Sequence, residues 1–179
     1  MGAWERVITP SQRERYNQLL VSSNPAYATA NIGGLNRLLD ERGGRAYIFT
    51  ETSPTTYYIL HLVAPNRDEP GVWKIVNAVP MGEYDVMEAG TISWRHIRDI
   101  FDEVGAESFY GTPLADYGDS KMNQFFEKVA ECCWELEAKE PDTNGKYRFR
   151  FKRTADRKLE DEKFEGPRAQ GSALHENAN

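Results

Sequence analysis

The sequence predicts an α+β domain over residues 1–153 followed by a charged tail over 154–179. Three stretches carry this reading. Thr9-Pro10-Ser11-Gln12 has the form of a capping box with proline at the first helical position, so a helix begins there. "RAYIFTE" and "TTYYILHLVA" are rich in aromatic and β-branched residues and flank Ser53-Pro54, the composition of a hairpin. "KYRFRFKR" alternates Tyr147, Phe149 and Phe151 with Lys146, Arg148, Arg150 and Lys152, which makes a strand with one apolar and one cationic face.

The remaining elements follow in chain order. Residues 4–8 form a short strand, and the helix opened by Thr9 runs through Tyr16, Leu19 and Leu20 to a stop before Pro25. Ile32, Leu35, Leu38 and Leu39 mark the stripe of a second helix, which Gly43-Gly44 ends. After the hairpin, "NRDEPG" turns the chain into a third strand of the sheet, residues 72–79. An irregular "PMGEYDVMEAG" leads to a helix over 91–104, with Ile92, Ile97, Ile100, Phe101 and Val104 on its inner side and Gly105 as its stop. "ESFYG" is a short strand, and the stretch 118–140 is a helix in which Met122, Phe125, Phe126, Val129, Cys133 and Leu136 recur at helical spacing.

Composition bounds the function. The chain has 179 residues, 40% of them hydrophobic, enough for one domain with its own core, while the polar, Gly- and Asn-containing tail is expected to be mobile or ordered by a partner. Lys and Arg number 22 against 28 Asp and Glu, so nucleic acid or an anionic membrane would be repelled except at a local basic face. No apolar run approaches the roughly 20 residues that span a bilayer, and the N-terminus lacks the apolar core of a secretory signal; both predict a soluble, cytoplasmic protein with no membrane partner. Arg6 stands where a myristoylation pattern wants Ser or Thr. Cys132 and Cys133 are adjacent, about 100° apart on a helix, which disfavours an intrachain disulfide, and the three histidines show no metal-ligand spacing.

The order strand, helix, helix, three strands, helix, strand, helix, strand resembles the GNAT superfamily of acyl-CoA-dependent N-acyltransferases over residues 4–153. The resemblance implies a mixed, mostly antiparallel central sheet with helices on both faces. In that family the last helix carries N-x-x-A-x-x-[LF]-Y-x-K-x-G-F; here the similar stretch has Phe125 and Lys128 in place but Asp119, Met122, Ala130 and Glu131 depart from it. Phe126 stands where many members have a tyrosine that protonates the departing thiolate, and a phenyl ring has no proton to give. The family's pyrophosphate turn, Q/R-x-x-G-x-G/A at a helix N-terminus, corresponds to "VMEAGTISWRH", which has one glycine, Gly90, preceded by Glu88. Gly90, Thr91 and Ser93 are therefore the candidates for contact with acetyl-CoA, against a plain helix cap.

A base for the amine proton would come from Glu51, Glu83 or Asp85, and a proton donor from Tyr84, Tyr110 or Tyr117; each has the alternative of an exposed polar residue or a packed aromatic. His61, among apolar neighbours, reads as a structural histidine, and His96 beside Arg95 as a solvated one. The row Lys146, Arg148, Arg150 and Lys152, extended by Arg153, is the candidate partner-binding face; its alternatives are a solvated sheet face, a charge-defended edge, or pairing with the chain's own Glu160-Asp161-Glu162. With the tyrosine and the glycine-rich turn both missing, the sequence favours a non-catalytic GNAT-like protein that binds another protein or a larger assembly. The diverged motifs are similar in kind to those of GNAT-like proteins of short-tailed bacteriophages, some of them virion components, which would place the chain in the host cell or within a phage particle. The alternative is an N-acetyltransferase that passes the acyl group from acetyl-CoA to an amine by direct transfer.

Overall fold

The computed structural model of the chain describes residues 2–111, 134–141 and 147–153. Its elements are β1 (Ala3–Arg6), α1 (Pro10–Ser23), α2 (Ile32–Asn36), β2 (Arg45–Glu51), β3 (Tyr57–Pro65), β4 (Val72–Gly82), α3 (Val86–Val104), β5 (Ser108–Gly111), β6 (Trp134–Pro141) and β7 (Tyr147–Arg153). The strands form a seven-stranded sheet in the order β1-β2-β3-β4-β5-β7-β6, and the β1–β2, β2–β3, β5–β7 and β7–β6 pairings are antiparallel. The chain divides into two compact units, residues 1–67 with 75–84, and residues 68–74 with the described residues from 85 onward.

In the first unit α1 begins as its sequence dictates: the Thr9 hydroxyl accepts from the Gln12 amide at 3.2 Å while Gln12 Oε1 accepts from the Thr9 amide at 2.9 Å. Arg13 then ties α1 to the segment after α2, donating to both carboxylate oxygens of Asp40 at 2.8 Å and to Asn36 Oδ1. The second helix is shorter than its apolar stripe implies. After Asn36 the backbone widens into a single π turn, Arg37–Glu41, and Gly44 closes it by donating to the Leu38 carbonyl at 2.8 Å. The core gathers Tyr16, Leu20 and Leu35 against Ala46 and Ile48 of β2 and Leu60 and Leu62 of β3. The register Ala46↔Leu62 and Ile48↔Leu60 explains the set, because alternate residues on paired strands share a face. One polar pair lies inside: the Tyr16 hydroxyl donates to Asn77 Oδ1 at 3.2 Å, and burial holds the Tyr16 hydroxyl well above its ordinary pKa. On the opposite face of the strands Trp4 stacks on the fully buried His61 at 4.6 Å, which makes His61 the structural residue its apolar neighbours suggest.

The second unit is built on aromatic rings. Phe109 of β5 lies 4.8 Å from Phe101 of α3, 4.9 Å from Trp134 of β6 and 5.1 Å from Phe151 of β7, centroid to centroid, and all four are buried. Gly105 ends α3 in the left-handed region, φ 68°, with the Ala106 amide returning to the Phe101 carbonyl at 3.0 Å.

Three sequence expectations are corrected. The helix over 91–104 begins five residues earlier, at Val86. Of the helix expected over 118–140, residues 118–133 lie outside the described residues, and 134–140 belong to the strand Trp134–Pro141. Here Trp134 is buried while Glu135 and Glu137 are exposed, so period two wins over the helical spacing that Cys133 and Leu136 continue. Finally, β7 is not a charge-defended edge; it lies between β5 and β6, and β6 is the outer strand.

Candidate functional site

In the first unit, one end of the sheet collects the residues with acid–base chemistry. Glu51 is the last residue of β2 and pairs in register with Tyr57, the first of β3. β4 arrives at the same end and closes on this hairpin: the Glu83 amide donates to the Thr56 carbonyl at 3.3 Å, and the Thr55 hydroxyl to the Glu83 carbonyl at 2.7 Å. The approach needs Gly82, which sits at φ 102°, where a Cβ would lie 2.8 Å from the Thr56 oxygen. It also brings the Tyr84 ring within 6.2 Å of the Tyr57 ring. Two carboxylates and two tyrosines thus share one end of the unit, an arrangement able to receive a cationic amine and take up its proton. Glu51 and Glu83 are brought to this end together. Tyr117 lies outside the described residues, and Tyr110 stands on β5, opposite Arg150.

In the second unit the corrected start of α3 moves the anion question from Gly90 to Asp85. A helix leaves its first amides without intrahelical acceptors, and those amides are what a phosphate would use. In α3 they belong to residues 85–88. The Asp85 side chain already accepts from the Glu88 amide at 2.9 Å, and from Ala89 onward the amides donate inside the helix, Ala89 to the Asp85 carbonyl at 2.9 Å. Gly90, Thr91 and Ser93 therefore stand inside the helix and are buried. Their backbone amides are not at its open end. The Thr91 hydroxyl is enclosed with no hydrogen-bond partner among the described residues.

Along the sequence, Glu83, Asp85 and Glu88 fall within six residues of this helix start, and residues 75–94 contain no Lys or Arg. A phosphate charge held about 4 Å from a carboxylate is opposed by about 1 kcal/mol per pair in water-like surroundings, and by more where water is thinned. Acetyl-CoA is the cofactor implied by the resemblance; of the amides its diphosphate would use at this helix start, that of Glu88 is taken by the Asp85 carboxylate. Sequence reasoning named Asp85 only as a base; Asp85-Val86-Met87-Glu88, a capping residue followed three positions later by Glu, was the signal that places the helix start.

Two cations of the β7 row, Arg150 and Arg153, are paired within the chain. Arg150 contacts Glu69 at 2.8 Å and Glu137 at 3.1 Å, and Arg153 contacts Asp102 at 2.6 Å while lying 5.2 Å above the Trp134 ring. In register, Lys152 stands opposite Glu135 and Arg148 opposite Glu140, so an acidic strand faces the basic one. Lys152 is exposed, and Lys146 lies outside the described residues. On α3, His96 is half-buried rather than solvated, and desolvation lowers its pKa to about 4. Among the described residues no group of His, Cys, Asp or Glu is arranged to hold a metal ion, and no helix is long and apolar enough to cross a membrane.

No family model matches the sequence, and neither does any curated protein. Solved structures do match. A GNAT-family protein from Desulfovibrio desulfuricans superposes with a TM-score of 0.59 at 12% identity, covering 85% of this chain and 99% of its own. An aminoglycoside 6′-acetyltransferase type Ii gives 0.60 at 12% identity, with 89% and 99% covered. An aminoglycoside 6′-N-acetyltransferase complexed with coenzyme A gives 0.54 at 11% identity over the same shares, 89% and 99%. At such identities the likeness is one of fold, and that fold is the α+β GNAT fold.

Proposed function

We propose that this GNAT-fold chain is an N-acyltransferase that passes an acyl group from a thioester directly to an amine. The observation that carries the reading is the sheet order β1-β2-β3-β4-β5-β7-β6 with α3 directly after β4, matched over 85–89% of the chain by structures that include acetyltransferases. Glu51 and Glu83, with Tyr57 and Tyr84, supply the acceptor end: the carboxylates attract a protonated amine, and one of them takes the proton that must leave before nitrogen attacks the thioester carbonyl. As the C–N bond forms the C–S bond breaks, and the proton that the attacking nitrogen sheds on becoming an amide goes to the departing thiolate. Positioning of amine and thioester does most of the work in such a transfer.

A second reading has its own observation. Asp85 caps α3 where a donor's phosphates would bind, which favours a chain that keeps the fold without acyl-CoA chemistry and serves as an interaction or assembly module, in a host cell or a phage particle. Its partner would be another protein, reached through Lys152 or through residues beyond 153.

One experiment separates the two. The full chain is incubated with acetyl-CoA or S-acetyl-N-acetylcysteamine and a panel of primary amines, and free thiol is measured. Amine-dependent thiol release that falls at least tenfold in Glu83→Gln or Glu51→Gln supports the transferase. If no thioester is turned over and none raises the melting temperature, the transferase reading fails and the assembly reading stands.

A further inference from the structure

The turn between β2 and β3 holds the backbone of Glu83 on both sides. We propose that Thr55 is a positioning residue for Glu83, setting the direction from which its carboxylate meets a protonated acceptor amine and takes the proton. The inference rests on the transferase reading and assigns the proton to one of its two carboxylates.

Every contact involved lies in the first unit. Glu51 belongs to β2, and its pairing with Tyr57 in the ladder fixes its place. Glu83 is the first residue beyond β4, where the regular strand has ended. Two bonds from the turn take the ladder's place there: the Glu83 amide donates to the Thr56 carbonyl at 3.3 Å, and the Glu83 carbonyl accepts from the Thr55 hydroxyl at 2.7 Å. These groups belong to the peptide planes before and after Glu83, and fixing both planes fixes the direction of the Cα–Cβ bond between them. The exposed Glu83 side chain is then left with its own rotamers alone. Gly82 makes the approach possible, since a Cβ there would stand 2.8 Å from the Thr56 oxygen and 3.0 Å from Tyr57 Cα. Of the two bonds, the one from Thr55 is made by a side chain, so a substitution can remove it while the backbone bond from Glu83 to Thr56 remains.

A hydrogen bond that merely steadied the turn would weaken the protein alike whether or not residue 83 carries a carboxylate; one that places a proton acceptor matters only while the acceptor is there. Thiol release from S-acetyl-N-acetylcysteamine is measured with the full chain across a panel of primary alkylamines, which are protonated at pH 7. Thr55→Val keeps the branched shape and removes the hydroxyl. It should lower kcat/KM for the amine at least about tenfold and leave KM for the thioester within about twofold. Thr55→Ser, which retains the hydroxyl, should stay within about twofold of the unaltered protein. In a Glu83→Gln background the added Thr55→Val should cost less than about twofold, because the two changes remove one interaction. Should Thr55→Val not fold, Thr55→Ala is compared with Thr55→Ser in the same way. An unchanged amine kcat/KM in Thr55→Val, an equal loss in both backgrounds, or full activity in Glu83→Gln overturns the inference while leaving the transferase reading intact. Absence of thioester turnover with every amine in the unaltered protein overturns both.

Discussion

Tyr16 and Asn77 are the polar exception in an apolar core, and their pairing predicts a measurable cost. In Tyr16→Phe the Asn77 carbonyl oxygen keeps its burial but loses its donor, which should reduce stability by about 1–3 kcal/mol, seen as a lower denaturant midpoint with an unchanged slope. Gly82 predicts a larger local effect, since Gly82→Ala adds both an unfavourable φ and a Cβ 2.8 Å from the Thr56 oxygen. That variant should lose about 1–3 kcal/mol and, because Glu83 is anchored to the same strand, should also impair amine-dependent thiol release. His96 governs the acid limb. Its folded pKa, about 4, lies below the unfolded value of 6.5, so the folded state binds fewer protons between those pH values. Its contribution is whole above pH 6.5 and lost as pH falls toward 4, at most about 3 kcal/mol; His96→Gln should flatten the fall of melting temperature across that window.

At the scale of elements, how much the sequence discloses depends on whether one pattern or two fit the same residues. α1 was legible because Thr9, Pro10 and Gln12 act locally and nothing competes with them. The hairpin of β2 and β3 was legible because its aromatic and β-branched residues run continuously on either side of Ser53-Pro54, as strands buried on both faces require. β6 was not. Val129, Cys133 and Leu136 keep helical spacing while Trp134, Leu136 and Ala138 alternate, and only pairing with β7, a non-local event, decides between them. The start of α3 was hidden because Gly90 has the form of a turn residue, although it lies buried in a helix whose opening pair is Asp85 and Glu88. The π turn after α2 has no local signature among Arg37, Leu38 and Leu39. Trp134 tests the corrected element: Trp134→Ala removes a ring packed on Phe101 and Phe109 and should cost about 3–5 kcal/mol, whereas an exposed residue of the same strand, Glu135→Gln, should change stability by less than about 0.5 kcal/mol.

For the molecule as a whole, the balance of charge is met partly within the chain. Arg150 serves two carboxylates, Glu69 in the turn before β4 and Glu137 on β6, and both are substantially exposed. Arg150→Ala should therefore cost about 1 kcal/mol or less, and the difference from the unaltered protein should shrink in about 1 M salt. Glu51 and Glu83 were legible in the sequence as residues, since they stand beside aromatic and strand-ending positions. That they meet at one end was not, because their 32-residue separation is closed only by the sheet.

The insertion of β7 between β5 and β6 also sets an order in time. The ribosome releases β5 and β6 before their shared neighbour exists, so β6, whose strand partner is β7, cannot pair until residues 147–153 emerge. Nascent chains stalled before residue 147 should leave Trp134 open to quenchers and β6 open to proteases, and protection should arrive in one step once β7 clears the exit tunnel.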